Sequence, residues 1–281
     1  MSELLVWSKG YGLYFNVDTN YVFAPTEQLT TKNDIVNQKG NNIWVKMGSG
    51  SYTTNYNFKI LLNYLKTLDY SINLYTTDGD SSIPGDIDVS LFNQILSKIN
   101  VWYTQNISDT TIPKLKGIPI GLDLHTYNTN GIENQINELK NIRLSKKGDR
   151  ILKIYCDVHL SQQWRFGNPR RSIGNLRYPT IIYQNTRLPR SDLWKVYSEY
   201  TFVISTHGNG LDAHRTWELL LLGCIVITKT SSIDILFKDL PVVIVQEWEE
   251  LKNEENLVKW YEQYNQLTDY NYIWNKLKIK N

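Results

Sequence analysis

The sequence predicts an α/β protein made of two doubly wound domains, and three observations carry that expectation. Short apolar runs of strand length alternate with segments whose apolar residues recur at helical spacing, and the alternation restarts after residue 147. The chain has 281 residues, enough for two such domains of ordinary size. Between Tyr200 and Thr228 a buried strand, a glycine-containing loop, an amphipathic helix and a second buried strand follow one another directly, which is how a βαβ unit is written in sequence.

Residues 1–40 carry the weakest pattern; LLVW reads as an edge strand and GYGLYFNVDTNYVF as a hairpin. Ile43 to Met47 is a short buried strand. Phe58, Leu61, Leu62, Leu65 and Leu68 then share one face of a helix from Asn57 to Leu68. A strand from Ile72 to Tyr75 ends in TTDGD, Asp88 caps a helix running to Ile99, and Val101 to Thr104 and Lys116 to Leu122 supply two further strands. A polar segment closes this domain, which spans residues 1–147, and the second spans 148–281. Its elements are a strand from Ile151 to Cys156, a long loop holding Arg165, Arg170 and Arg171, a strand from Thr180 to Tyr183 and a helix from Ser191 to Tyr200. After the βαβ unit come a short helix at Ile233 to Leu236, a strand from Val242 to Val245 and a helical tail from Glu247.

Composition excludes several function classes. Thirty basic residues against 28 acidic ones leave a net charge of +2, so no bulk field draws nucleic acid or an anionic membrane surface. Cys156 and Cys224 are the only cysteines and both fall in apolar strands, as expected in a reducing compartment. No apolar run reaches a membrane-spanning length and MSELLVWSKGYG lacks the form of a signal peptide, so the expectation is a cytoplasmic protein without membrane insertion.

Chemistry concentrates in THGNGLDAHRTWELLLLGC. Gly208 and Gly210 would let backbone approach an anion closely. The helix opened by Asp212 and closed by Gly223 would offer free N–H groups, and Arg215 a charge-assisted contact. Glu218 lies on the Arg215 face, placed for a ribose hydroxyl beside a diphosphate. The spacing matches neither the dinucleotide GxGxxG fingerprint nor a P-loop. In a doubly wound sheet ligands gather at the carboxyl ends of strands, and in the first half those ends carry Asp78, Asp80, Asp123 and His125. DGDSSIPGD reads equally as a solvent turn, being composed of turn formers.

The run FVISTHGNGLDAHRTWELLLLGCIVITKTSSIDILFKDLPVVIV resembles the C-terminal signature of exostosin-like glycosyltransferases, and TTDGDSSIP and GIPIGLDLHT resemble the short soluble members of bacteria and large DNA viruses. The resemblance implies a GT-B fold, two Rossmann-like domains facing a cleft, with the donor held mainly by the C-terminal one. It also implies inversion at the anomeric centre with no cofactor and no required metal. On that reading the donor is a UDP-sugar, UDP-xylose foremost, and the acceptor a glycan or glycoprotein. His207, Gly208, Asn209, Gly210 and Arg215 would hold the diphosphate and Glu218 the ribose. One or more of Arg170, Arg171 and Arg187 would neutralise the leaving group. Asp78 or Asp80 would be the general base, with Asp123 and His125 as acceptor-binding residues and the competing choice. Two alternatives remain open: a metal-dependent single-domain transferase using Asp78 and Asp80 as a DxD motif, and a nucleotide- or carbohydrate-binding protein without turnover.

Overall fold

The computed structural model describes residues 5–38, 40–125, 131–160 and 167–279, so Arg165 lies outside the described residues. The chain forms two compact units. The first holds Met1–Ile120 together with Gly210–Asp212 and Ile279–Asn281; the second holds Gly121–Asn209 and Ala213–Lys278. The division thus falls at Ile120 rather than at residue 147, because the polar segment after Gly121 folds into a helix that packs within the second unit.

The first unit opens with helices α1 (Gly10–Tyr14), α2 (Thr19–Val22) and α3 (Lys32–Val36). The expected hairpin over the first two is absent: Asp18 caps α2 by accepting from Asn20 N, and Tyr11, Val17, Tyr21 and Val22 bury against Trp44. Tertiary packing of aromatic residues overrides their strand propensity here. Then follow β1 (Asn42–Gly48), α4 (Ser51–Leu65), β2 (Ile72–Gly79), α5 (Val89–Leu96), β3 (Ile99–Thr104) and β4 (Leu115–Gly117). Asp88 caps α5 as expected, accepting from Leu91 N at 2.8 Å. All pairings are parallel, in the order β1-β2-β3-β4. β2 runs on through Asp78 and Gly79 because Gly79 meets Gly48 of β1; a β-carbon at Gly79 would lie 2.1 Å from Gly48 O.

Lys46 on β1 is fully buried, its Nζ donating to Ala24 O and Pro25 O, both at 3.1 Å. Burial pulls its pKa down to about 8, Asp78 opposing the shift and Lys9 adding to it. Between pH 8 and 10.5 the unfolded chain keeps a proton here that the folded chain has lost, so this lysine's contribution to stability rises with pH across that window. Urea unfolding of wild type and Lys46→Met at several pH values is expected to show a difference that moves in favour of wild type from pH 8 to 10.5. A flat difference would refute the assignment.

The second unit contains α6 (Gly131–Ser145), β5 (Ile151–Cys156), α7 (Gly167–Ile173), β6 (Ile181–Tyr183), α8 (Arg190–Glu199), β7 (Tyr200–Ile204), α9 (His214–Leu222), β8 (Ile225–Lys229), β9 (Val242–Val245), α10 (Glu254–Tyr264) and α11 (Tyr270–Lys276). Its five parallel strands run in the order β6-β5-β7-β8-β9 over a core of Ile154, Phe202, Ile204, Ile225, Ile227 and Val243. The order reverses at β5, leaving a switch point between β5 and β7. Gly223 ends α9 in the left-handed region at φ 83°, and a β-carbon there would also collide with the Arg143 guanidinium. A cavity of about 430 Å³ sits at the opposite, amino-terminal strand ends, beside Arg143 and Arg150. Those arginines donate to Thr268 O, Ser198 O and Leu222 O, and Arg150 so neutralises the carbonyl ends of α8 and α9. Among the described residues no helix is long and apolar enough to cross a membrane.

Candidate functional site

At the switch point, β5 delivers Asp157 and β7 delivers Ser205, Thr206 and His207 beyond their carboxyl ends. Asp157 pairs with Arg215 from the first turn of α9 and accepts from Tyr197 Oη at 3.0 Å, while the Arg215 guanidinium lies 5.7 Å above the Tyr197 ring. Burial alone would lower the Arg215 pKa; the Asp157 charge outweighs it, and the net shift is upward. Arg170, buried on α7, donates to Thr206 Oγ1 at 3.2 Å, to Thr206 O at 2.9 Å and to His207 O, so it fixes the backbone of this loop. Burial, and then the neighbouring Arg215, bring the Arg170 pKa down to about 10, so it stays cationic at neutral pH. Two guanidinium groups therefore lie within electrostatic reach of one carboxylate, Arg215 paired with it directly, beside the start of α9. The local charge balance favours an anion.

A second cluster in the same unit centres on Glu218. One oxygen accepts from Arg190 Nη2 and the other from Trp194 Nε1 at 3.0 Å. Arg190 lies over the Trp194 ring at 4.6 Å and also donates to Asp123 O at 2.7 Å and Gln135 Oε1 at 3.2 Å. Glu218 thus pairs with Arg190 rather than with its helical neighbour Arg215, and both its oxygens are engaged.

Several expectations from sequence are corrected by this geometry. Asp212 does not cap α9; Ala213 holds that position, and Asp212 Oδ2 instead accepts from Ile120 N at 2.8 Å while its own N–H donates to Asn106 Oδ1 at 2.9 Å. Gly210 is small because Asn106 fills the space: a β-carbon would lie 2.7 Å from Asn106 Nδ2. Gly208 is buried and Asn209 exposed. Arg187 donates to Leu160 O at 2.7 Å and Arg171 is an exposed residue of α7, whereas Arg170 holds the loop. In the first unit Asp78 is 2 % exposed, in the left-handed region at φ 59°, with Lys9 at 3.6 Å and Thr26 donating to it at 3.2 Å. Asp78 presents no carboxylate at the rim, so a DxD clamp with Asp80 lacks one of its two arms. Asp80 lies just beyond the end of β2 and is partly exposed. Asp157, Tyr197 and Arg190 were missed from sequence, although an acidic residue directly following the predicted strand Ile151 to Cys156 was a legible signal for the first of them.

No family model matches the sequence, and no curated protein does. The exostosin-like resemblance accordingly rests on its motifs. Two solved structures align with this chain at 10% sequence identity. An α,α-trehalose-phosphate synthase (UDP-forming) from Burkholderia vietnamiensis aligns over 83% of this chain and 70% of its own length with a TM-score of 0.42. A structure described as trehalose-6-phosphate from E. coli bound with UDP-2-fluoro glucose aligns over 96% of this chain and 80% of its own, also with a TM-score of 0.42.

Proposed function

We propose that the protein is an inverting GT-B glycosyltransferase that moves a sugar from a nucleotide sugar, a UDP-sugar and foremost UDP-xylose, to a hydroxyl of a glycan or glycoprotein. The observation that supports this reading most is the switch-point cluster of Asp157, Arg215 and Tyr197 with the loop held by Arg170. Such a cluster suits a diphosphate, with the start of α9 adding its dipole. In the transfer, Asp80 takes the proton from the acceptor hydroxyl as its oxygen bonds the anomeric carbon. The bond from that carbon to the diphosphate breaks, and the nucleoside diphosphate leaves with its added charge matched by Arg215. No metal on the diphosphate is needed when guanidinium groups carry that role.

The test is a panel of UDP- and GDP-sugars, read by melting temperature and by release of nucleoside diphosphate, with and without EDTA. The expected result is stabilisation by UDP and release from one UDP-sugar that survives EDTA. Stabilisation without release from any donor favours a binding protein. Activity abolished by EDTA and restored by Mn²⁺ overturns the metal-independent reading.

A further inference from the structure

Asp123, His125 and His214, all in the second unit, bring one carboxylate oxygen and two imidazole nitrogens within 4.8 Å of one another. The local fold explains how. Gly121 turns the chain at φ 70°, and Leu122 and Leu124 are buried at 0% and 1%, so Asp123 and His125, in alternate positions, point together to the other side. Asp123 Oδ1 lies 3.3 Å from His125 Nδ1, close to the roughly 3.3–3.5 Å edge of a tetrahedral site with metal–nitrogen bonds of about 2.0–2.1 Å. The other oxygen, Oδ2, faces Arg190 at 3.5 Å, so the carboxylate divides its two atoms between two neighbours. His214 comes from the first position of α9, and its Nδ1 bonds Gly121 O at 2.8 Å. A carbonyl can only accept, so Nδ1 carries the proton and Nε2 holds the lone pair. A ligating histidine is oriented in this way by a backbone acceptor on its far nitrogen. The two imidazole rings stand 5.4 Å apart at 63° to each other, edge towards face rather than stacked.

We infer that Asp123, His125 and His214 bind one late first-row divalent ion, with Zn²⁺ the natural occupant and Co²⁺ or Ni²⁺ able to replace it. Imidazole-rich donor sets select such ions over Mg²⁺ and Ca²⁺, which take all-oxygen shells. Glu218 neutralises Arg190, so with neutral imidazoles the charges of Asp123, Arg190 and Glu218 leave one net negative charge at the site, favourable to a cation. Three protein donors leave at least one position for water or a substrate hydroxyl. The donors lie no more than 4.8 Å from one another, so small side-chain adjustments bring them onto a single ion. This site is separate from the diphosphate role assigned to Arg215 and requires nothing of it, so ion binding stands or falls whether or not the protein transfers sugar. Loss of the ion to EDTA is compatible with a transfer that keeps running.

The experiment uses full-length protein without a histidine tag, stripped of metal and titrated with Zn²⁺ and Co²⁺ by calorimetry and by the visible absorption of bound Co²⁺. One ion per chain is expected, with Mg²⁺ unable to displace it. His125→Ala and Asp123→Asn are expected to weaken binding about 10- to 100-fold or more, while His159→Ala, whose ring meets Tyr183 and is not one of the three donors, binds as wild type. His125 is partly exposed, so its variant keeps the fold and gives a clean answer even if His214→Ala does not. Wild-type protein that takes up no stoichiometric ion, or a His125→Ala variant that binds as tightly as wild type, overturns the assignment.

Discussion

Arg215→Ala is expected to lower kcat/KM for the donor by about 10²- to 10³-fold, the usual loss when one preorganised donor to developing charge is removed. It is also expected to lower stability. Arg215 is the ion-pair partner of Asp157, whose side chain is 8% exposed, and the variant leaves that carboxylate with the Tyr197 hydroxyl. Breaking a buried pair from one side costs about 3–5 kcal/mol. The lower end applies here, because removing Arg215 also relieves its repulsion of Arg170. Stability and function are separated by Arg215→Lys, which keeps a cation beside Asp157 but loses the planar fork. It should retain most of the melting temperature and still show a large fall in kcat/KM. An Arg215→Lys enzyme as active as wild type would assign Arg215 to architecture alone.

The parallel strand and helix succession was legible because each element announces itself within a few residues: Ile151–Cys156 and Val242–Val245 fall where the apolar runs place them. Asp88 and Gly223 were equally local signals for a cap and a stop. What sequence misassigned depends on partners far along the chain. Asp212 reads as a helix cap because Asp usually is one, yet its backbone partner Asn106 lies 106 positions away and its carboxylate partner Ile120 lies 92 away. Gly210 reads as a phosphate-loop glycine, whereas Asn106 is what excludes a side chain there. Glu218 and Arg190 stand 28 positions apart, so no helical spacing links them. Arg215 was legible as a charged residue in the first turn of α9; its surroundings were not, because Asp157 and Arg170 approach it only through the sheet order.

The two carboxylates of the DGD stretch are expected to respond to the same substitution in opposite ways. Asp80→Asn, beyond the end of β2 and partly exposed, should lower kcat by about 10²- to 10⁴-fold, the range for loss of a general base. The KM for the donor and the melting temperature should barely move, since Asp80 is assigned neither to the donor nor to the core. Asp78→Asn removes the negative charge beside Lys9, which is 5% exposed, and near the fully buried Lys46, leaving two cations without it. A loss of about 3–5 kcal/mol is expected, visible as a lower urea midpoint, with kcat of the folded fraction largely kept. Gly79 between them carries the turn from one role to the other: its contact with Gly48 holds Asp78 inside while the chain leaves the sheet at Asp80. Should Asp80→Asn turn over at the wild-type rate, the proton must leave through Asp123 or His125, and Asp123→Asn becomes the variant in which kcat falls.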